Sequence, residues 1–355
     1  MLRVDARVER LAPRLQAGDI AVLDEVDLDG ATARTLVARG VVAVVNASPS
    51  TSGRYPNLGP TVLVHAGVPL LDGVGTSFLA LARDGARARL DGDTLFVGEE
   101  PVATGTRHDV GSVTEAATVA RGGVSAQLAD LTANAADLVV EERRLLVEGE
   151  GLPPLATSFT DRAVVVVGPG DGAAEELRRL KRFRRRRRPL LVGADGGGDV
   201  LLAAGLRPDL LVGDPSAMSD EVLRAAGEVC LRAGAEGLER VQDLAVPVVP
   251  FASRAAAEDL ALLAAHHGGA RLVVLAGVPR DLVELLDRGR AAAASTPLAR
   301  VTAGATALSA TTAAALTPRR RWGLPLLCAV LAGALGGLVA LDGQHLWDAW
   351  QDLVG

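Results

Sequence analysis

Short apolar runs bounded by turn formers alternate with stretches of helical spacing along most of the chain, a pattern that predicts an α/β fold. The first third reads as a strand over 19–23, a helix over 31–39 capped by Asp29, and a buried strand over 41–45. An aperiodic stretch over 46–60 follows, ending on Gly59-Pro60 at a helix start. A strand over 67–72 and a hairpin over 87–96, turning at Asp91-Gly92, complete this part. Between 113 and 147, Val124, Leu128, Leu131, Ala135, Leu138 and Val139 recur at three- and four-residue steps. That spacing predicts a helical connector that bridges domains or packs on a neighbour, with a dimerising face as the alternative. A second α/β segment opens with a strand over 162–167, the glycine turn 168–172 and a helix from Ala173.

The segment LLVGADGGGDVLLAAGLRPDLLVGD, 190–214, predicts a strand over 190–192, a turn at Gly196-Gly197-Gly198, a short helix over 200–204 and a strand over 210–212. Two parallel strands with a helix between them place Asp195 and Asp214 on one sheet edge, the carboxyl edge where open α/β sheets bind ligands. Glycines there let a phosphate approach backbone N–H groups, and two carboxylates can hold the Mg²⁺ that accompanies phosphate. An ordinary βαβ unit with polar turns is the plainer alternative.

DGG followed by PDLLVGD resembles the nucleotide-binding half of thiamine pyrophosphokinases. Over most of the chain, SGRYPNLGP at 52–60, VGADGG at 192–197, AAEDLALL at 256–263 and the final apolar segment resemble the actinobacterial cytokinetic ring protein SteA family. The resemblance implies a nucleotide site built from Asp195, Gly196, Gly197, Asp209, Gly213, Asp214 and Asp259, with ATP or another nucleotide and Mg²⁺ held by Asp195 and Asp214. The enzymes continue GD-x-D-S, whereas this chain reads Gly213-Asp214-Pro215-Ser216, so a hydroxyl stands where a metal-binding carboxylate is expected. Their Thr-Asp pair is matched only by Glu258-Asp259, and their C-terminal thiamine-carrying sandwich has no counterpart. A degenerate site that binds without turnover is therefore expected, with an active Mg²⁺-dependent pyrophosphokinase or nucleotidyl transferase as the alternative. The family further implies a role in cell division and septal cell-wall remodelling, with a SteB-like membrane protein and, through it, cell-wall hydrolases as partners.

Other stretches change the picture less. Ser52, Arg54, Tyr55 and Asn57 lie in the aperiodic loop and read equally as an anion-binding loop or a hydrogen-bonded structural one. The run Lys181–Arg188, KRFRRRRR, reads as a solvated helix face, with anionic lipid headgroups the leading functional partner. The 355 residues are 49% hydrophobic but only 3% aromatic, so the cores must be built from Ala, Val and Leu. The net charge of −6 argues against general nucleic-acid binding. Cys230 and Cys328 are isolated, no histidine pair has zinc spacing, and no serine sits in a nucleophile elbow. The N-terminal stretch lacks the apolar core of a signal peptide.

Residues 322–341 carry no charge, follow Arg319-Arg320-Arg321, and predict one transmembrane helix with the larger part of the chain on the cytoplasmic side. The organisation expected is thus two cytoplasmic α/β domains at 1–110 and 156–317, the second thiamine pyrophosphokinase-like with a parallel sheet. A helical linker at 111–155 joins them, and a basic-flanked transmembrane helix at 318–341 and an outer tail at 342–355 follow. Gly333 and Gly337 allow close helix packing and hence a homodimer, though chance spacing explains them equally.

Overall fold

The computed structural model describes residues 1–170, 172–235, 237–287, 290–317, 329–334, 336–337 and 350–354. It divides into two compact units, Met1–Ala314 and Ala315–Gly355. Within the first unit, β1 (Leu2–Val4), β2 (Ile20–Leu23), β3 (Ala43–Asn46) and β4 (Leu70–Asp72) run parallel side by side. The expected hairpin forms as β5 (Ala88–Asp91) and β6 (Thr94–Val97), and β7 (Glu100–Thr104) extends it into a separate antiparallel sheet. β8 (Thr106–Arg107) then returns antiparallel to β4.

The second sheet holds seven parallel strands: β9 (Ala163–Val167), β10 (Leu190–Ala194), β11 (Leu210–Gly213), β12 (Glu228–Arg232), β13 (Val248–Phe251), β14 (Leu272–Ala276) and β15 (Ala307–Ser309). Their spatial order is β13-β12-β11-β10-β9-β14-β15. The chain steps outward from β9 to β13, then crosses back to lay β14 against the other side of β9. The order therefore reverses between β9 and β14, which opens a crevice at their carboxyl ends.

Both faces of this sheet are covered, which is why its strands read as unbroken apolar runs rather than alternating ones. On one face Val164, Val166, Val212 and Val273 pack with the helix Ala257–His267. On the other, Val165, Val167, Val274 and Ala276 pack with the helices Ala173–Arg179, Lys181–Arg187 and Ala310–Leu316. Each fully buried valine or leucine is worth roughly 1.5–3 kcal/mol of transfer free energy, so many small aliphatics replace the missing aromatics.

The connector forms as helices Val110–Ala120 and Val124–Glu148. It is a packed element rather than an open bridge. Leu145 and Leu146 enter the core of the seven-stranded sheet, and the helix packs on Arg290–Ala303. Glu142, where the helix kinks, accepts from Ser253 Oγ and Arg254 N at 2.6 Å. The anticipated membrane helix falls mostly outside the described residues, and among those described no helix is long and apolar enough to cross a membrane.

Candidate functional site

The loops after β9, β10, β12 and β14 meet the N-terminal end of the helix Gly30–Ala38 around a cleft of about 390 Å³. Its floor is the reversal point of the sheet. Gly168 N donates to Ala276 O and Gly170 N to Gly277 O, both at 2.8 Å, so the turns after β9 and β14 are laced together. Glu176, buried in the next helix, accepts from Gly277 N at 2.8 Å and fixes that turn from below.

Asp195 sits at the end of β10 and lines this cleft, as the strand-end rule anticipates. Its backbone is left-handed, at φ +48°, a conformation that Asp tolerates better than most residues. The carboxylate Oδ1 accepts from Asp214 N at 2.8 Å, which ties the ends of β10 and β11 together. Gly213 permits this: its φ is +140°, and a Cβ there would overlap Asp195 Oδ1. Gly196 and Gly197 open the helix Gly197–Ala203, which begins three residues earlier than the sequence suggested because the glycines themselves take helical geometry. Burial, followed by the charges of Glu258 and Asp214, pushes the Asp195 carboxyl up to about 6.

The carboxylates of Asp209, Asp214 and Asp259 have partners other than Asp195. Asp209 precedes β11, at the opposite edge of the sheet from Asp214. There its Oδ2 accepts from Leu191 N at 2.7 Å while its own N–H donates to Leu191 O at 2.8 Å. It is a register clamp between two strands, about five residues or ~16 Å from the site at strand rise. Asp214 reaches the correct edge, but its Oδ1 accepts from Ser216 N (2.9 Å) and Ser216 Oγ (2.7 Å), capping the turn Pro215–Ala217. It does not line the cleft. Asp259 is buried in the first turn of the helix Ala257–His267 and accepts from Ser295 Oγ and Thr296 Oγ1, each at 2.7 Å. Burial, with Glu258 beside it, pushes its carboxyl up.

Among the described residues no cluster of three or more His, Cys, Asp or Glu side chains has metal-binding geometry. Mg²⁺ is commonly held by one or two carboxylates together with substrate phosphates, and Asp195 with Glu258 on the cleft wall fits that donor set. In this arrangement Asp195 and Glu258 would hold the ion, and the ion would neutralise phosphate charge.

The side chains of the loop from Ser52 to Asn57 are hydrogen-bonded within the chain. Asp27 accepts from Ser52 N (2.5 Å), Ser52 Oγ (2.8 Å) and Arg54 Nη2 (3.0 Å). Asn57 Nδ2 donates to Leu28 O and Ser50 O at 2.7 and 2.6 Å. Tyr55 and Arg54 border a smaller cavity of about 170 Å³ that also holds Asp27 and Asp130. Burial first, and then the carboxylates Asp287, Asp27 and Asp29, push the Tyr55 phenol up.

Sequence reasoning missed Asp287, Arg34 and Arg232. Asp287 is buried, and its two oxygens accept from Gly30 N (2.7 Å) and Leu58 N (2.9 Å), at the starts of the helices Gly30–Ala38 and Gly59–His65. It caps two helices more than two hundred residues away, and no local pattern announces that. Arg232 was findable: it ends a parallel strand on the same edge as Asp195. Burial, opposed by those two N–H groups, pushes the Asp287 carboxyl up to about 6.

Asp195, Asp259 and Asp287 all hold protons in the folded chain at pH values where the unfolded chain has released them. Their contribution to stability therefore grows as pH falls from about 7 towards the unfolded carboxylate range near 4. Asp19, Asp109 and Glu175, whose carboxyls are held down by hydrogen bonds and nearby cations, act in the opposite sense only below that range. Thermal unfolding is expected to occur at higher temperature near pH 5 than near pH 7.5, with Asp195→Asn flattening the rise. A melting temperature that falls as the pH is lowered from about 7.5 to about 5 would contradict the assignment.

No protein-family model matches the chain, and no curated protein matches its sequence.

Proposed function

We propose that this chain is a membrane-anchored scaffold or regulator that binds a Mg²⁺-accompanied nucleotide, or a related phosphate ligand, in the switch-point cleft without turning it over. The observation that carries the proposal is the position of Asp195, strained and half-buried, beside the laced glycine turns at the reversal of strand order. Open α/β sheets place ligands at such points.

The cleft's charge sets the form of the ligand. Asp29, Asp195, Glu258, Glu284 and Asp287 line it against Arg34 and Arg232. A bare polyphosphate would meet net repulsion there, so the ligand is expected to bind as its Mg²⁺ complex. Turnover is disfavoured because the other carboxylates are committed: Asp214 to Ser216, Asp259 to Ser295 and Thr296, and Asp209 to the far sheet edge. The alternative, a pyrophosphokinase or nucleotidyl transferase, draws its support from Asp195 and Glu258 lining the same cleft, where they could hold metal for chemistry.

Anchoring rests on the uncharged stretch 322–341 behind its arginine triplet. Cell division, septal wall remodelling and a SteB-like partner rest on the family resemblance of the motifs at 52–60 and 192–197.

Calorimetric titration of the full chain in detergent with ATP and ADP, with and without Mg²⁺, tests this reading. Binding is expected only with Mg²⁺. Asp195→Asn should weaken it at least about tenfold, as loss of a charged contact of 1.5–3 kcal/mol implies, while Asp214→Asn should leave it within about threefold. AMP release from ATP that disappears in Asp214→Asn would replace binding by catalysis as the function. Absence of heat with every nucleotide would reject the ligand class.

A further inference from the structure

The run from Lys181 to Arg188 forms the helix Lys181–Arg187, closed by Arg188 in left-handed geometry. Its single apolar residue, Phe183, is 5% exposed and inserts into the core on one face of the seven-stranded sheet. Lys181, Arg182, Arg185, Arg186, Arg187 and Arg188 are exposed, and none of them forms an ion pair among the described residues. Arg184 packs partly inward, its Nε buried without a partner, and burial and Arg185 push its guanidinium down. One turn earlier, Arg178 and Arg179 both pair with Glu175, whereas no carboxylate among the described residues lies within ion-pair reach of the run itself. A short helix thus presents concentrated positive charge that the protein leaves unneutralised, although the chain as a whole carries −6.

The place of this helix in the fold narrows its partner. The same apolar cluster that receives Phe183 and Leu180 receives Ala310 and Ala313 of the helix Ala310–Leu316. The first unit ends within that helix, at Ala314, and in the sequence Arg319-Arg320-Arg321 and the uncharged stretch 322–341 follow it. The basic helix and the chain's exit therefore lie in one layer, on one face of the sheet. Basic clusters beside a membrane anchor are attracted to anionic lipid, and the attraction fades within a Debye length, so only a patch near the exit benefits. Single-stranded nucleic acid fits less well, because base stacking needs accessible aromatics and Phe183, the aromatic of the run, is buried.

We infer that the helix Lys181–Arg187 is a docking face for the anionic surface of the bilayer. The inference rests on the anchoring proposed above, and the test separates the two. Full-length chain is mixed from detergent with phosphatidylcholine vesicles, with or without phosphatidylglycerol, and followed by flotation at low and high salt. Flotation with neutral vesicles that resists alkaline carbonate reads the anchor alone. The gain from phosphatidylglycerol reads the basic face: it is expected to be about tenfold or more at low salt and to vanish at high salt. In Arg185→Gln/Arg186→Gln/Arg187→Gln, whose exposed side chains support no packing, thermal unfolding should be unchanged and most of the lipid gain lost. An equal gain in that variant, no gain in the wild-type chain, or salt-sensitive binding to an RNA oligonucleotide that exceeds binding to phosphatidylglycerol would each overturn the inference.

Discussion

Gly197→Ala is expected to destabilise the protein by at least about 3 kcal/mol, while Gly196→Ala, one residue earlier, stays within about 1 kcal/mol of the wild type. Helix propensity alone gives the opposite sign for Gly197, because alanine is favoured over glycine inside a helix by about 1 kcal/mol. Steric contact decides. A Cβ on Gly197 would overlap the carbonyl oxygen of Val167 and stand 2.5 Å from its carbonyl carbon. Both atoms belong to the backbone at the end of β9, buried in the sheet, and cannot swing aside as a side-chain tip would. The helix Gly197–Ala203 would have to lift off the strand, dragging Asp195 from Asp214 N and opening the floor of the cleft. Gly196 has φ −59°, and a Cβ there meets nothing closer than 3.5 Å, ordinary contact. Thermal unfolding of the two variants side by side checks this, and equal melting temperatures would remove the close-approach argument.

Asp287→Ala is the second large effect, expected at about 3 kcal/mol or roughly 5–10 °C in melting temperature. The substitution strips the acceptor from two helix-start N–H groups, at Gly30 and Leu58, in a region where Gly30 is buried. The carboxylate also carries an opposing cost, since burial pushes it up to about 6 and near neutral pH it is held ionised against that tendency. Asp287→Asn removes this cost and keeps one acceptor, so the order of stability should be wild type, then Asn, then Ala. Hydrogen exchange supplies a local readout. Protection should fall first in Gly30–Ala38 and Gly59–His65, while β9, β10 and β14 retain theirs. Uniform loss across both sheets would mean that Asp287 supports the fold generally rather than joining two helix starts to the far part of the chain.

Much of this architecture was legible in the sequence, because the physics that sets it acts over a few residues. An apolar run bounded by turn formers is a buried strand wherever it lies, and β9, β10 and β11 begin within a residue of the expected positions. Asp29 caps its helix by accepting from Thr32 N at 2.7 Å, a contact contained in four consecutive residues. The placement of Asp195 at the carboxyl edge followed from strand, turn and helix in immediate succession. The tertiary structure decided which chemical groups remain available. Whether Asp214 faces a ligand or Ser216, whether Asp259 is open or closed in by Ser295 and Thr296, and whether Arg54 binds an outside anion or Asp27 are outcomes of competition among neighbours. Asp287 shows the limit most clearly, since its partners lie 257 and 229 residues away and only packing brings them together. Local sequence sets backbone geometry because its energy terms are local; it leaves the pairing of charges open, because that depends on which surfaces meet.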